Sequence, residues 1–353
     1  VSDLVGTLLV GDQAVSVEAW RDFWDRLHAR SVSGPEAAAV LASLSTRLPG
    51  AEGLASFVGS LAERRHGTAT DAPSPGLAHR AVNIVGTGGG PATFNISTAA
   101  AFVAAAIGVR VLKTGSRAYS SRCGSLDLLG RLGVPLTSSA DETEHMLGRF
   151  GLAFAGPYVY PPELVLLARC VFPMDMKRLG RCLNRLGPFL AHVPVSVQLT
   201  GLSESPLLAP FRTLAETLND RRYWFCFNEL GADELLSVGP NDLVRCGTGD
   251  PERIEPATLG FAPGTLEDLR PAPDDEAIVP HFLDILSGDG PPVAVDTVCL
   301  NAAALALAGG VAATWDEGVV KAREAVGSGR SRRLVESIRT AEKTRLAGGL
   351  HMA

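Results

Sequence analysis

Between Asn83 and Ser125 the chain concentrates the residue types that bind phosphate: NIVGTGGGPATFNISTAAAFVAAAIGVRVLKTGSRAYSSRCGS. An apolar run, Val82 to Val85, enters a turn holding Gly86, Gly88, Gly89 and Gly90, with Thr87 among them. Thr93, Asn95, Ser97 and Thr98 then supply hydroxyls and an amide just ahead of the alanine-rich run Ala99 to Ile107, whose composition predicts a helix. A strand, a glycine turn and a helix start bring unpaired N–H groups and the positive end of a helix dipole to one place, which is the chemistry of an anion cradle. A second cradle follows almost at once. Val109, Val111 and Leu112 predict a short strand, and Lys113, Thr114, Gly115, Ser116, Arg117, Ser120, Ser121 and Ser125 predict a loop rich in donors and positive charge. A glycine cluster alone is equally well explained by turn conformation. Two cradles this close point to a ligand carrying several phosphates.

The elements that must position these loops are legible in the hydrophobic pattern. Trp20, Phe23, Trp24 and Leu27 fall on one helical face, and Ser33-Gly34-Pro35-Glu36 reads as a helix start followed by the stripe Val40, Leu41, Leu44 and Leu48. Leu54, Phe57, Val58 and Leu61 predict a third helix, and residues 66–80 a linker. Beyond the cradles, short strands (151–155, 195–199, 223–227) alternate with helical patterns (141–150, 162–170, 207–218, 278–286, 294–308, 315–326, 331–346), the signature of a parallel sheet covered by helices.

The chain has 353 residues, 46% of them hydrophobic, enough for a large core or two domains. Its net charge of −6 without a basic block excludes a general nucleic-acid binder. No run reaches the length of a membrane span, and Leu4 to Val10 is too short for a signal core, so no membrane partner is expected. Six scattered cysteines, Cys123, Cys170, Cys182, Cys226, Cys246 and Cys299, lack any metal-ligand spacing and read as buried thiols of a reducing compartment, the cytoplasm.

GTGG at Gly86–Gly89, then FNIST ending at Thr98, then KxGxR, SSxxGS and DLL stand in the order and spacing of a known site. The chain resembles the anthranilate phosphoribosyltransferase family, whose phosphoribosyl-diphosphate motifs are usually written GTGGD, NIST and KHGNRxxSSxxGSxDLL. The resemblance runs over nearly the whole chain and implies an α/β fold of the nucleoside phosphorylase/phosphoribosyltransferase class. In that class a small helical domain packs on a larger α/β domain with a mainly parallel central sheet. By analogy, residues 14–78, completed by about 160–192, form the helical domain, and 79–159 with 193–347 form the α/β domain. The family dimerises through its helical part, so a homodimer is expected. The helical faces named above also offer more apolar surface than about 60 residues can bury alone.

The resemblance further implies the roles of the site residues. Gly86, Thr87, Gly88, Gly89, Thr93, Asn95, Ser97 and Thr98 would cradle phosphoribosyl diphosphate, with Lys113, Arg117, Ser121 and Ser125 on its remaining phosphate oxygens. Magnesium is the metal a diphosphate calls for. Asp233 and Glu234, an acidic pair that in isolation reads as solvated surface, match the family's metal motif, and Ser97 its hydroxyl ligand.

Departures from the family fall in a pattern. Its aspartate after GTGG is Gly90 here, its preceding aspartate is Asn83, and the histidine and asparagine of KHGNR are Thr114 and Ser116. Ten residues before Asn184, where the family reads anthranilate's carboxylate with an arginine, stands Met174, followed by Asp175. Losing such a bidentate contact costs about 1.5–3 kcal/mol. These changes lead to a phosphoribosyltransferase with a non-anthranilate acceptor bound by Ser116, Met174 and Asp175. A cationic aminocyclitol or aminoglycoside hydroxyl of an antibiotic pathway would suit an acidic pocket, with Asp175 or Glu229 as candidate base. The alternatives are an anthranilate phosphoribosyltransferase of tryptophan biosynthesis, a nucleoside phosphorylase, whose usual KxSTGG loop is absent, and a non-catalytic paralogue.

Overall fold

The computed structural model describes residues 3–66, 76–115, 123–174 and 176–349. They form two compact units: Val1–Ser74 with Pro157–His192 and Pro206–Asp220, and Pro75–Gly156 with Val193–Ser205 and Arg221–Ala353.

The first unit is helical. Ser16 and Ser33 accept the N–H groups of Ala19 and Glu36 and so begin the helices Val17–His28 and Gly34–Thr46, the second with proline in its first turn as its sequence predicts. Ala51–His66 is the third long helix, and Leu4–Val10, Glu163–Cys170, Met176–Leu179, Arg181–Leu190 and Leu208–Leu218 complete the set. Trp20 and Trp24 are stacked at 5.6 Å, and Phe57 meets Trp20 edge-on at 4.9 Å. Trp24 Nε1 donates to Ser60 Oγ at 2.9 Å, which lets the indole sink fully. The unit therefore buries Trp20, Phe23, Trp24, Leu27, Val40, Leu41 and Leu44 within itself. Those faces do not provide the surplus apolar surface expected of them, and the argument for a dimer built on them falls. The large apolar side chains this unit leaves exposed are instead Leu9, Val10, Tyr158, Val165, Phe172 and Met174.

The second unit is built on a seven-stranded sheet. Its strands are β1 (Val82–Gly86), β2 (Val111–Lys113), β3 (Leu152–Phe154), β4 (Val197–Gly201), β5 (Arg222–Asn228), β6 (Asn241–Arg245) and β7 (Glu252–Ile254), in the order β3-β2-β1-β4-β5-β6-β7. The first five run parallel, β6 pairs antiparallel with β5, and β7 at the edge pairs antiparallel with β6. The helix Ile96–Ala106 is buried over residues 98–104, and Pro292–Ala308 is buried along most of its length. Alanine-rich surfaces on both let them pack closely.

Chain order reverses between β1 and β4, because β1 leads outward to β2 and β3 on one side while β4 leads to β5 on the other. Ligands of open α/β sheets bind at the carboxyl ends of the strands at such a switch point. Here the two strands end level, with Gly86 paired to Gly201.

Candidate active site

Glycine at both strand ends has a steric cause. A Cβ on Gly86 would stand 1.9 Å from Asp233 Oδ2, and one on Gly201 would stand 1.6 Å from the Asp233 carbonyl. The two glycines let the segment after β5 fold back over the sheet. Asparagines secure that segment from below. Asn228 accepts from Ala232 N–H at 3.1 Å and donates to the Glu234 carbonyl at 2.9 Å, Asn241 accepts from Leu236 N–H at 2.8 Å, and Asn301 donates to the Leu235 carbonyl at 2.7 Å. All three are buried. Asp233 and Glu234 are thus half-buried on a backbone held in place, whereas their sequence in isolation suggests solvated surface.

The glycine turn lies against them. Gly88, Gly89 and Gly90 take φ values of +73°, +96° and +74°, a left-handed run that other residues rarely adopt. Gly88 N–H donates to Asp233 Oδ2 at 2.7 Å. A side chain at Gly90, where the family carries its aspartate, would meet the Gly231 carbonyl at 2.1 Å. The missing acid is therefore part of a different loop path, which restoring the aspartate alone would clash with. Thr87 is buried, and its Oγ1 accepts from Ser203 N–H at 3.3 Å.

The electrostatics converge on the same place. Burial pushes Glu234 well above the ordinary carboxylate range, and the neighbouring Asp233 charge and hydrogen bond push the same way. Burial raises Asp233 too, while the Gly88 N–H pulls it back. Glu234 is thus the member of the pair whose ionisation is opposed more strongly. Lys113 lies beneath the turn, 3% exposed, with Nζ donating to the Ile84 carbonyl at 3.0 Å and the Thr114 carbonyl at 3.3 Å. Desolvation lowers it to about 8, although Glu234 and Asp233 pull it upward. Among the described residues no three His, Cys, Asp or Glu side chains converge. Two adjacent carboxylates whose charge is poorly solvated suit a hard divalent cation that takes its other ligands from hydroxyls, water and phosphate oxygens.

Other expected cradle residues sit as follows. Asn95 stands at the N-terminus of Ile96–Ala106, so the helix begins inside NIST rather than after it, and its amide donates to the Cys123 carbonyl at 3.3 Å. Ser97 and Thr93 are half-buried, and Thr98 is fully buried with an unpartnered hydroxyl. Ser125 opens the helix Ser125–Leu132. Ser116, Arg117, Ser121 and Asp175 lie outside the described residues. Met174 belongs to the helical unit and is 45% exposed. Glu229 is 86% exposed and lies 3.7 Å from Arg253, a surface ion pair outside the half-buried acid pair.

Some of the architecture is missed by sequence reasoning. Asn83, read there only as a lost acid, is buried, donates to Thr114 Oγ1 at 3.0 Å and to Gln198 Oε1 at 3.1 Å, and accepts from Thr114 N–H at 3.0 Å. Gln198, Ser203, Asn228, Asn241 and Asn301 carry no motif. Their one signal is a polar residue inside an apolar run, as at Gln198 and Asn301, or at or just beyond a strand end, as at Ser203, Asn228 and Asn241.

The family described as "Glycosyl transferase family, a/b domain" matches residues 78–332, which takes in every strand of the sheet. The chain is 35% identical to an anthranilate phosphoribosyltransferase of Methylobacterium nodulans, over 92% of this chain and 94% of that protein. It belongs to the anthranilate phosphoribosyltransferase family. A second relative, anthranilate phosphoribosyltransferase 2 of Streptomyces coelicolor, is 37% identical over 75% of this chain and 78% of its own. Among solved structures, the anthranilate phosphoribosyltransferase of Thermus thermophilus is similar with a TM-score of 0.76 and 30% identity, covering 97% of this chain and 100% of its own. The Saccharomyces cerevisiae family member, determined in complex with phosphoribosyl diphosphate and magnesium, shares the fold with a TM-score of 0.78 at 23% identity, over 96% of this chain and 97% of its own. As a member of this phosphoribosyltransferase family the protein is an enzyme of the glycosyltransferase class.

Lys113 supplies a pH test of the site. Its native value of about 8 lies below its ordinary 10.5, so the unfolded chain binds the extra proton between those values and stability contributed by this group rises with pH across them. The site loses its positive charge over the same range. Donor kcat/KM is therefore expected to fall above pH of about 8 while the melting temperature shows no matching fall, and Lys113→Arg should move the kinetic break upward. A flat profile to pH of about 10 would remove Lys113 from donor binding.

Proposed function

We propose that the enzyme transfers 5-phosphoribose from phosphoribosyl diphosphate to a small-molecule acceptor with magnesium as its metal. The observation that carries this reading is the half-buried acid pair, Asp233 and Glu234, set against the glycine turn, with Asp233 accepting from Gly88 N–H. The family relatives support it, as does the yeast member bound to phosphoribosyl diphosphate and magnesium. Asp233 and Glu234 would hold the ion together with the Ser97 hydroxyl, and magnesium when bound neutralises charge developing on the departing pyrophosphate.

The chain's own groups do the rest by placement. The N–H groups of Gly88 and its neighbours and the start of Ile96–Ala106 receive pyrophosphate oxygens, and Lys113 adds a fixed positive charge beneath them. As the bond from the anomeric carbon to the pyrophosphate oxygen breaks, the acceptor's lone pair forms the new bond and its proton leaves to a base or to water. No protein nucleophile is needed, because binding holds donor and acceptor in line.

For the acceptor, the relatives' shared name supports anthranilate, whose amine nitrogen would attack. A second reading, an acceptor without a carboxylate, is favoured by one observation. Thr114, in the family's histidine position, is 1% exposed, and its N–H and hydroxyl both donate to Asn83 Oδ1, at 3.0 and 3.4 Å, so neither is left for an anion. Pyrophosphate release from phosphoribosyl diphosphate and magnesium, with anthranilate, a neutral aromatic amine and an aminocyclitol glycoside offered side by side, separates the two. Release driven by anthranilate alone establishes the first reading. Release driven only by the others establishes the second, and none with any acceptor removes both.

Asp233→Asn combined with Glu234→Gln is expected to lower magnesium-dependent turnover at least about a hundredfold, in the range of a lost metal-held charge, with the melting temperature kept or raised. Retained turnover would sink the metal assignment.

We further assign the protein to the cytoplasm, a reading supported by its six free thiols, and to a homodimer through the helical unit, supported by the exposed Leu9, Val10 and Val165. Light scattering at micromolar concentration is expected to report twice the 36.9 kDa chain, and a single-chain mass would overturn the dimer.

A further inference from the structure

The glycine turn has a mechanical problem. Gly88, Gly89 and Gly90 are exposed, bear no side chains and occupy left-handed backbone regions, so nothing within the turn selects its shape against the many others open to glycine. Its shape must be imposed from outside. Among the described residues, two side chains bond directly to its backbone: Asp233, which accepts from Gly88 N–H, and Ser203, whose Oγ donates to the Gly88 carbonyl at 2.8 Å.

These two holds differ in kind. The Asp233 bond occupies an N–H that the cradle offers to a diphosphate, so a bound ligand and its cation compete for both partners of that contact. The Ser203 bond lies on the carbonyl side of the same residue, where a phosphate has no use for an acceptor. Ser203 makes a second contact, its own N–H on Thr87 Oγ1 at 3.3 Å, while Thr87 N–H continues the strand ladder onto the Gly201 carbonyl at 3.0 Å. Ser203 thus grips the turn at consecutive residues and is itself anchored two residues beyond the end of β4. The fit is close: a Cβ on Gly89 would lie 3.0 Å from Ser203 Oγ.

We propose that Ser203 is the positioning residue of the donor site, the contact that keeps the glycine turn shaped for a diphosphate when Asp233 is drawn to its cation. The proposal rests on the donor reading given above and adds to it a residue that does not touch the reacting atoms. A serine that only stabilised the fold would affect melting without a selective effect on diphosphate binding.

The test uses the whole chain and needs no acceptor. Inorganic pyrophosphate and phosphoribosyl diphosphate, each with magnesium, are titrated calorimetrically into wild type, Ser203→Ala and Ser203→Thr, and amide exchange of the peptide spanning residues 86–92 is followed by mass spectrometry. Loss of one net hydrogen bond predicts about threefold to tenfold weaker binding of both ligands in Ser203→Ala. Faster exchange of the turn, an unchanged melting temperature and recovery of affinity in Ser203→Thr, which keeps the hydroxyl, complete the expected result. Wild-type affinity and exchange in Ser203→Ala, or a threonine variant as weak as the alanine one, would overturn the proposal. Wild-type protein that binds neither ligand would overturn the donor reading itself, and this proposal with it.

Discussion

The site depends on setting two adjacent, half-buried carboxylates against a turn of main-chain N–H groups. Desolvation raises both Asp233 and Glu234, and Glu234 is raised further by its neighbour's charge, with Lys113 as the nearby compensating charge. The surrounding structure follows from that constraint. Gly86 and Gly201 leave room for the acid segment, and Asn228, Asn241 and Asn301 hold its backbone without adding charge.

How far this was legible beforehand varies with the physics of each part. The glycine turn, the helix start and the acid pair were readable because their chemistry is local in sequence. The parallel strands were readable because strands buried on both faces are mostly apolar runs, as in Tyr223–Phe227 and, around Asn83, in Val82–Val85. β6 and β7 were not, since NDLVR and ERI at a sheet edge bury only part of their surface and show no apolar run. The helix Ser125–Leu132 was hidden by its overlap with the second cradle's motif.

Contacts between distant residues were the least visible. Ser203 and Gly88 are 115 positions apart, and their meeting is a consequence of strand order, with β1 and β4 adjacent though separated in sequence by β2, β3 and several helices. Asn83 shows the same limit. Taken as a substitution it is a lost acid, while in three dimensions it ties Thr114 to Gln198 across neighbouring strands. The helical unit differs in another way: its apolar stripes were identified correctly, but their capacity to pack on one another was underestimated, since the stacked tryptophans fill a core that composition alone makes look too small.

The run Gly88 to Gly90 offers a diphosphate only main-chain amides. Every residue type except proline carries that group, so a substitution in the turn keeps the amide and acts by reshaping the turn or by adding a side chain beside it, as the family's aspartate at Gly90 would. The second acceptor reading proposed above rests on a side chain, Thr114, that a single codon change can replace. A lineage built this way can try successive acceptors while keeping one phosphoribose source, and divergence within it should accumulate on one side of the reaction.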